Sequence, residues 1–273
     1  MRNRRIFSSV TLVTTFAGLA LMALPLSAQV APGQPVPVRT AIPKTADGKP
    51  DFTGVWAGPG FKHQVGRGDT DTPSVTNFDP KLWAPFKPGG EAKFLQPLNE
   101  DTKHDDPTAF CLPDGHPREV LAPYATQIVQ SPGQIIFFYE YMHFFRIIPT
   151  DGRPHSADVD LTYEGDAVAK WEGDTLVIDT IGLKSWPLDA FTNKVVRYHS
   201  DKLHTIERIK YTDPMTATYE ITIDDPEIFT KPWSQMFGMK LHPTWKLLEQ
   251  VCEDNNRCEN GKCTPADVQQ KSK

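Results

Sequence analysis

The stretch "TQIVQSPGQIIFFYEY", Thr126–Tyr141, decides the fold. Two runs rich in β-branched and aromatic residues flank Ser-Pro-Gly-Gln, a turn signal, so the segment reads as a β-hairpin. The same pattern recurs downstream. "HFFRII" (143–148) stops at "PTDGR". "AVAKW", the turn "EGD" and "TLVIDT" (167–180) make a second hairpin. "KLHTIERIKYT", the turn "DPM" and "TATYEITID" (202–224) make a third, and "SQMFGMKLH" (234–242) and "KLLEQVC" (246–252) add two late strands. With "FTGVWAG" (52–58) this gives about nine strands on short loops. Parallel pairs need long crossovers, so the series is antiparallel. The expected fold is all-β: a closed up-and-down barrel of the calycin or lipocalin kind, with a sandwich as the alternative.

The chain opens with "MRNRRIF". Arg2, Arg4 and Arg5 precede a mostly apolar run, Val10–Leu26, and "LSA" ends at Ala28. This pattern predicts a secretory signal peptide over 1–28 and a periplasmic or secreted protein. A membrane anchor is disfavoured by Thr14, Thr15, Gly18 and Pro25, which break the run. "NRRIF" also has the twin-arginine look of an export signal for folded proteins, though Ser8 and Ser9 depart from it. Residues 29–123 read as a long proline-rich arm carrying the first strand, expected to wrap the barrel from outside, with "DPKLWAPF" (79–86) as one helical turn. Residues 124–256 form the barrel body and 257–273 a polar tail.

Four cysteines in an exported chain favour two disulfides. Cys258 and Cys263 flank "ENGK", whose Asn-Gly favours a turn, so they pair locally and leave Cys111 with Cys252. The spacing C-x5-C-x4-C fits no common zinc knuckle. The net charge of −5 is spread along the chain without a basic stripe, which argues against nucleic acid. There is no G-x-S-x-G elbow, P-loop, G-x-G-x-x-G or H-E-x-x-H, so nucleophilic hydrolysis and nucleotide chemistry have no support.

Chemistry concentrates in three places. Within "FFYEYMHFFRII", Glu140 and Arg146 are the fully charged residues, and a lone buried charge is costly. Three alternatives are open: a buried pair that locks the barrel, a polar floor in an aromatic cavity, or charges turned outward to solvent. His155 follows at a strand mouth in "TDGRPH". "YHSDKLHTIER" holds His199, His204 and Glu207, but parity puts His204 and Glu207 on opposite faces of a strand, which weakens a metal reading. Either the His204–Arg208 face or the Glu207 face is buried. The candidate catalytic residues are therefore Glu140, Arg146, His155, His204 and Glu207, with Tyr139, His143, Phe144, Trp171, Trp186 and His199 lining a ligand space.

"TADGKPDFTGVW", "CLPDGHPRE", "TDGRPH", "WEGDTLVIDT", "HSDKLHTIER", "TIDDPEIFTKPW" and "VCEDNN", spread from Thr45 to Asn256, together resemble a large family of exported bacterial proteins. The resemblance implies export and a single β-rich domain, and it implies no activity. "LKSWPLDAFTNKVVRY" (183–198) departs from the shorter, more polar run usual there. The G-x-W of "FTGVW" is similar to the opening of lipocalin-like barrels. The function expected is binding of a small apolar or aromatic molecule inside the barrel, without a cofactor. The rival is a cofactor-independent acid–base enzyme (lyase, isomerase or hydratase) using the same pocket. A third reading is a cell-envelope module docking through the arm.

Overall fold

Glycine sets the tight turns of the barrel. Gly133, between β3 (Ala125–Ser131) and β4 (Gln134–Tyr139), has φ +77°, a conformation that side chains with a Cβ disfavour. The structure is a computed structural model that describes residues 38–57, 86–97, 107–122, 124–188, 195–252, 257–259 and 262–264. The remaining strands are β1 (Gly54–Ala57), β2 (Leu95–Pro97), β5 (Phe145–Pro149), β6 (Asp166–Glu172), β7 (Thr175–Ile181), β8 (Val195–Arg197), β9 (His204–Asp213), β10 (Thr216–Asp224), β11 (Trp233–Leu241), β12 (Arg257–Glu259) and β13 (Lys262–Thr264). Nine of them form one sheet in the order β5-β4-β3-β1-β11-β10-β9-β7-β6, and every ladder in it is antiparallel. The expected all-β, up-and-down antiparallel barrel is what the chain forms. β1 bridges β3 and β11, so the early strand joins the two ends of the hairpin series.

Closure is nearly complete. β5 and β6 lie side by side without a ladder between them. Strand number explains this seam. With nine strands alternating in direction, the first and last point the same way, so β5 and β6 meet as parallel neighbours and the antiparallel pattern cannot continue across them.

Alternation sorts each strand. Along β9, Thr205, Glu207, Ile209 and Tyr211 point inward and are buried, while His204, Ile206 and Arg208 face out. The interior is packed with Trp56, Phe52, Ile128, Phe137, Ile148, Ile178 and Tyr219. Trp56, fully buried, donates from its indole to Phe52 O at 2.9 Å, and Phe52 stacks on Tyr211 at 4.7 Å. The Gly-x-Trp motif thus anchors one end of the core.

Three expectations need correction. "KLLEQVC" is not a strand: its backbone bonds to side chains at the β4–β5 corner, Leu248 N to Glu140 and Gln250 N to His143 Nε2, so no ladder forms. Residues 114–119 of the arm do not lie outside, since Asp114, His116, Arg118 and Glu119 are buried. A short helix, α1 (Gly90–Phe94), interrupts the arm instead of extended chain, with Phe94 buried against Phe86 and Phe229. The Cys111–Cys252 disulfide is present, with Cα atoms 5.6 Å apart. The β12–β13 ladder sets Cys258 opposite Cys263, but their side chains lie outside the described residues. So do the signal-like segment, the arm up to residue 37 and nearly all of the "DPKLWAPF" turn. No helix among the described residues is long and apolar enough to cross a membrane.

Candidate functional site

Strand parity splits the sequence-predicted constellation in two. Arg146 on β5 and Glu207 on β9 both point inward, and they meet. Arg146 Nη1 and Nη2 donate to the two Glu207 carboxylate oxygens at 3.0 and 2.7 Å. Nη2 also donates to Thr180 Oγ1 at 3.0 Å, and the Tyr219 hydroxyl donates to Glu207. Burial opposes the charge on Glu207, but the Arg146 guanidinium outweighs it and holds the carboxyl down at about 2. Arg146 is held well above its ordinary value by the same pair, against the effect of burial. Glu140, the partner expected from sequence, accepts from Leu248 N at 2.9 Å at the barrel's end.

A loop that sequence reading placed outside completes the cluster. The segment "CLPDGHPRE" turns at Gly115 (φ +72°), where the Trp186 ring and Tyr163 O leave no room for a Cβ. Trp186 Nε1 donates to Pro113 O at 3.0 Å and fixes the entry of the loop. Behind it His116, fully buried, sits with Nε2 2.9 Å from Thr205 Oγ1 and Nδ1 3.1 Å from Glu119 Oε1. Burial, and then the Arg146 charge, push His116 down to about 3, so the ring is neutral. Burial pushes Glu119 up to about 8. Burial also raises Glu164 well above its ordinary value, and the Glu119 carboxyl within hydrogen-bonding reach adds to it. Although the His116–Glu119 contact has the geometry of an ion pair, it joins two neutral groups.

One arrangement of hydrogens that satisfies these contacts has Glu164 donating to Glu119, Glu119 donating to His116 Nδ1, and His116 Nε2–H donating to Thr205; the other tautomer, with Nδ1–H on Glu119 and the Thr205 hydroxyl donating to Nε2, fits the same distances. Arg146 against Glu207 is one charge pair this leaves, and Arg118 against Asp114 on the inserted loop, at 3.1 Å, is another. The orphans are Arg146 Nε, a donor, and an oxygen of Glu164, an acceptor.

A cavity of about 320 Å³ lies at the β5–β6 seam. Phe145, Ile147, Pro149, Pro154, Ala167 and Val168 give it apolar surface, and Arg146, Arg153, Ser156, Glu164, Gly165 and Asp166 complete its lining. Phe145 and Ile147 are more than half exposed, at 55 % and 53 %.

His155 and His204 come together on the other face of the sheet. His155 Nε2 and His204 Nε2 lie 3.0 and 2.9 Å from Asp179 Oδ1, and His155 Nδ1 lies 3.0 Å from Asp166 Oδ2. This outer cluster is separated from Arg146 and Glu207 by the sheet. Among the described residues no group of three or more His, Cys, Asp or Glu side chains is arranged to hold a metal ion.

The other expected lining residues are structural neighbours. Tyr139 is buried within electrostatic reach of Arg146, which opposes the strong upward push that burial exerts on its hydroxyl. Trp171 stacks on Phe52 at 6.2 Å, beneath the core. Trp186 braces the inserted loop, Phe144 O accepts from Tyr139 N, and His143 Nε2 accepts from Gln250 N. His199 is buried, with Nδ1 on Ser200 O at 2.9 Å and its value lowered by burial to about 4. The neighbouring Ser200 anchors on Asp225, linking the "HSD" and "DDP" motifs. Sequence reading missed His116, Glu119, Glu164, Thr180, Thr205 and Tyr219. The H-x-x-E spacing of "HPRE" was the visible signal, hidden by the surrounding prolines.

No protein-family model matches the chain, and neither a curated protein nor a solved structure matches it.

Proposed function

We propose that the protein is an exported binder of a small apolar or aromatic molecule, held at the seam between β5 and β6. The observation that carries this reading is the cavity, with Phe145, Ile147, Pro149, Ala167 and Val168 in its wall, at the junction where the nine-stranded sheet lacks a ladder. Its volume falls in the range of small-molecule sites. Phe145 and Ile147 gain from a cover, since each exposes apolar surface that a ligand removes from water. Strands that share no backbone hydrogen bonds part at low cost, which gives a ligand a way in.

The test uses N-phenyl-1-naphthylamine, a neutral fluorescent aromatic probe. The reading predicts saturable enhancement with one site, abolished by Val168→Trp, which fills the cavity, and weakened about tenfold by Phe145→Ala. Enhancement that survives Val168→Trp in a folded protein overturns it.

The chain Glu164–Glu119–His116 supports a second reading, a cofactor-independent acid–base enzyme. Carboxyls and a neutral imidazole in hydrogen-bond contact are a route for a proton. This reading predicts that the protein accelerates exchange of the α-protons of 2-tetralone in deuterated water, and that Glu164→Leu removes the acceleration. Exchange at the buffer rate overturns it.

A further inference from the structure

Buried polar atoms without partners are few in folded proteins, and each calls for a reason. Arg146 Nε, Glu119 Oε2 and both Glu164 carboxyl oxygens lack a conventional partner. With Glu164 protonated and donating to Glu119, one Glu164 oxygen is accounted for. One donor, Arg146 Nε–H, and one acceptor, the remaining Glu164 oxygen, are left over. Both residues belong to the lining of the seam cavity, with these atoms shut off from water behind it. They lie where β5 and β6 share no ladder, so a shift between the two strands uncovers them without breaking sheet hydrogen bonds.

From this we infer the polar group of the ligand: an uncharged hydroxyl, of a phenol or an alcohol, that accepts from Arg146 Nε–H and donates to Glu164. The inference rests on the seam-binding reading. A single hydroxyl oxygen is donor and acceptor at once, and so satisfies both orphans. A carboxylate offers no hydrogen to Glu164 and sets a second anion beside the Arg146–Glu207 pair. An ammonium offers no acceptor to Arg146 and faces its guanidinium. An ether or ketone meets Arg146 and leaves Glu164 unmatched.

Three probes of one shape separate these claims: 2-naphthol, 2-methoxynaphthalene and 2-methylnaphthalene, each titrated calorimetrically into the full mature chain. The inference predicts that all three bind, with 2-naphthol about tenfold tighter than 2-methoxynaphthalene, the span of one good hydrogen bond. Glu164→Leu removes the acceptor and brings 2-naphthol level with the methoxy compound while 2-methylnaphthalene keeps its affinity. Glu164→Gln keeps a carbonyl oxygen and a donor to Glu119, and so retains the preference. If none of the probes binds, the seam reading itself fails. If all bind alike to the wild-type protein, or if the preference survives in folded Glu164→Leu, the seam reading stands and the hydroxyl is wrong. Should Glu164→Leu not fold, the O–H stretch of bound 2-naphthol decides: a shift to lower frequency is expected, and a free O–H stretch overturns the inference.

Discussion

Raising the pH from 6.5 to 8 should destabilise this protein steeply, and the buried cluster sets the size of the effect. Glu119 is raised from 4.5 to about 8 and Glu164 is raised well above its ordinary value, both chiefly by burial. Below pH 4.5 these groups are protonated folded or unfolded and cost nothing. Above it the unfolded chain releases their protons while the folded barrel keeps them, so stability falls as pH rises toward the folded values. His116 and His199 act in the opposite sense. Their folded values, about 3 and about 4, lie below the ordinary 6.5, so stability is lost as pH falls below 6.5. Between pH 4.5 and 6.5 the two carboxyls and two imidazoles nearly cancel. From pH 6.5 to 8 only the carboxyls act. Each retained proton contributes about 1.4 kcal/mol per pH unit, so one to two protons give a loss of about 2–4 kcal/mol. The groups around them, Arg146, Glu207 and Tyr139, keep their charge states across this window. The assay is urea denaturation at half-unit pH steps. Glu119→Gln should flatten the upper limb by about half, and Glu119→Gln with Glu164→Leu should abolish it. A wild-type curve level from 6.5 to 8, or a slope unchanged in the double variant, refutes the assignment of neutral buried carboxyls.

Glu207→Ala leaves a buried guanidinium without its carboxylate and should cost about 3–5 kcal/mol in the same assay, whereas Arg146→Met with Glu207→Leu should cost far less. Cys111→Ser should lower stability by about 2–4 kcal/mol and loosen the loop that carries His116 and Glu119, visible as faster amide exchange over 112–122. His204→Gln should leave N-phenyl-1-naphthylamine affinity within about twofold, because His204 is on β9 and does not line the seam cavity; a larger loss places the ligand beside His204 and Asp179 instead.

Strand number, turns and direction were legible because each rests on local chemistry. Asn, Asp and Gly turns such as "EGD" between β6 and β7 leave little choice of connection, and alternation along "LHTIERIKY" already set Glu207 opposite His204. Which of the two faces was interior was not legible, because both carry polar and apolar residues. The partner of Arg146 was not legible either. Glu140 is near in sequence, but a turn through Tyr141–His143, with Met142 at φ +61°, carries the chain round the corner and leaves Glu140 at the rim. Glu207, 61 residues away, is brought in by strand order alone. The insertion of "GHPRE" was hidden for a similar reason: proline-rich composition reads as exposed arm, while Gly115 and the Trp186 brace that turn the loop inward are tertiary facts. "KLLEQVC" carries strand-like composition but finds side-chain partners at the β4–β5 corner before it finds a neighbouring strand.

The most direct measurement is a crystal structure of the protein grown with 2-naphthol. The account predicts the naphthalene between Phe145, Ile147 and Val168, with its hydroxyl oxygen within hydrogen-bonding distance of both Arg146 Nε and a Glu164 carboxyl oxygen. Ligand density beside His204 and Asp179, away from Phe145 and Ile147, or a bare seam at saturating probe, contradicts it.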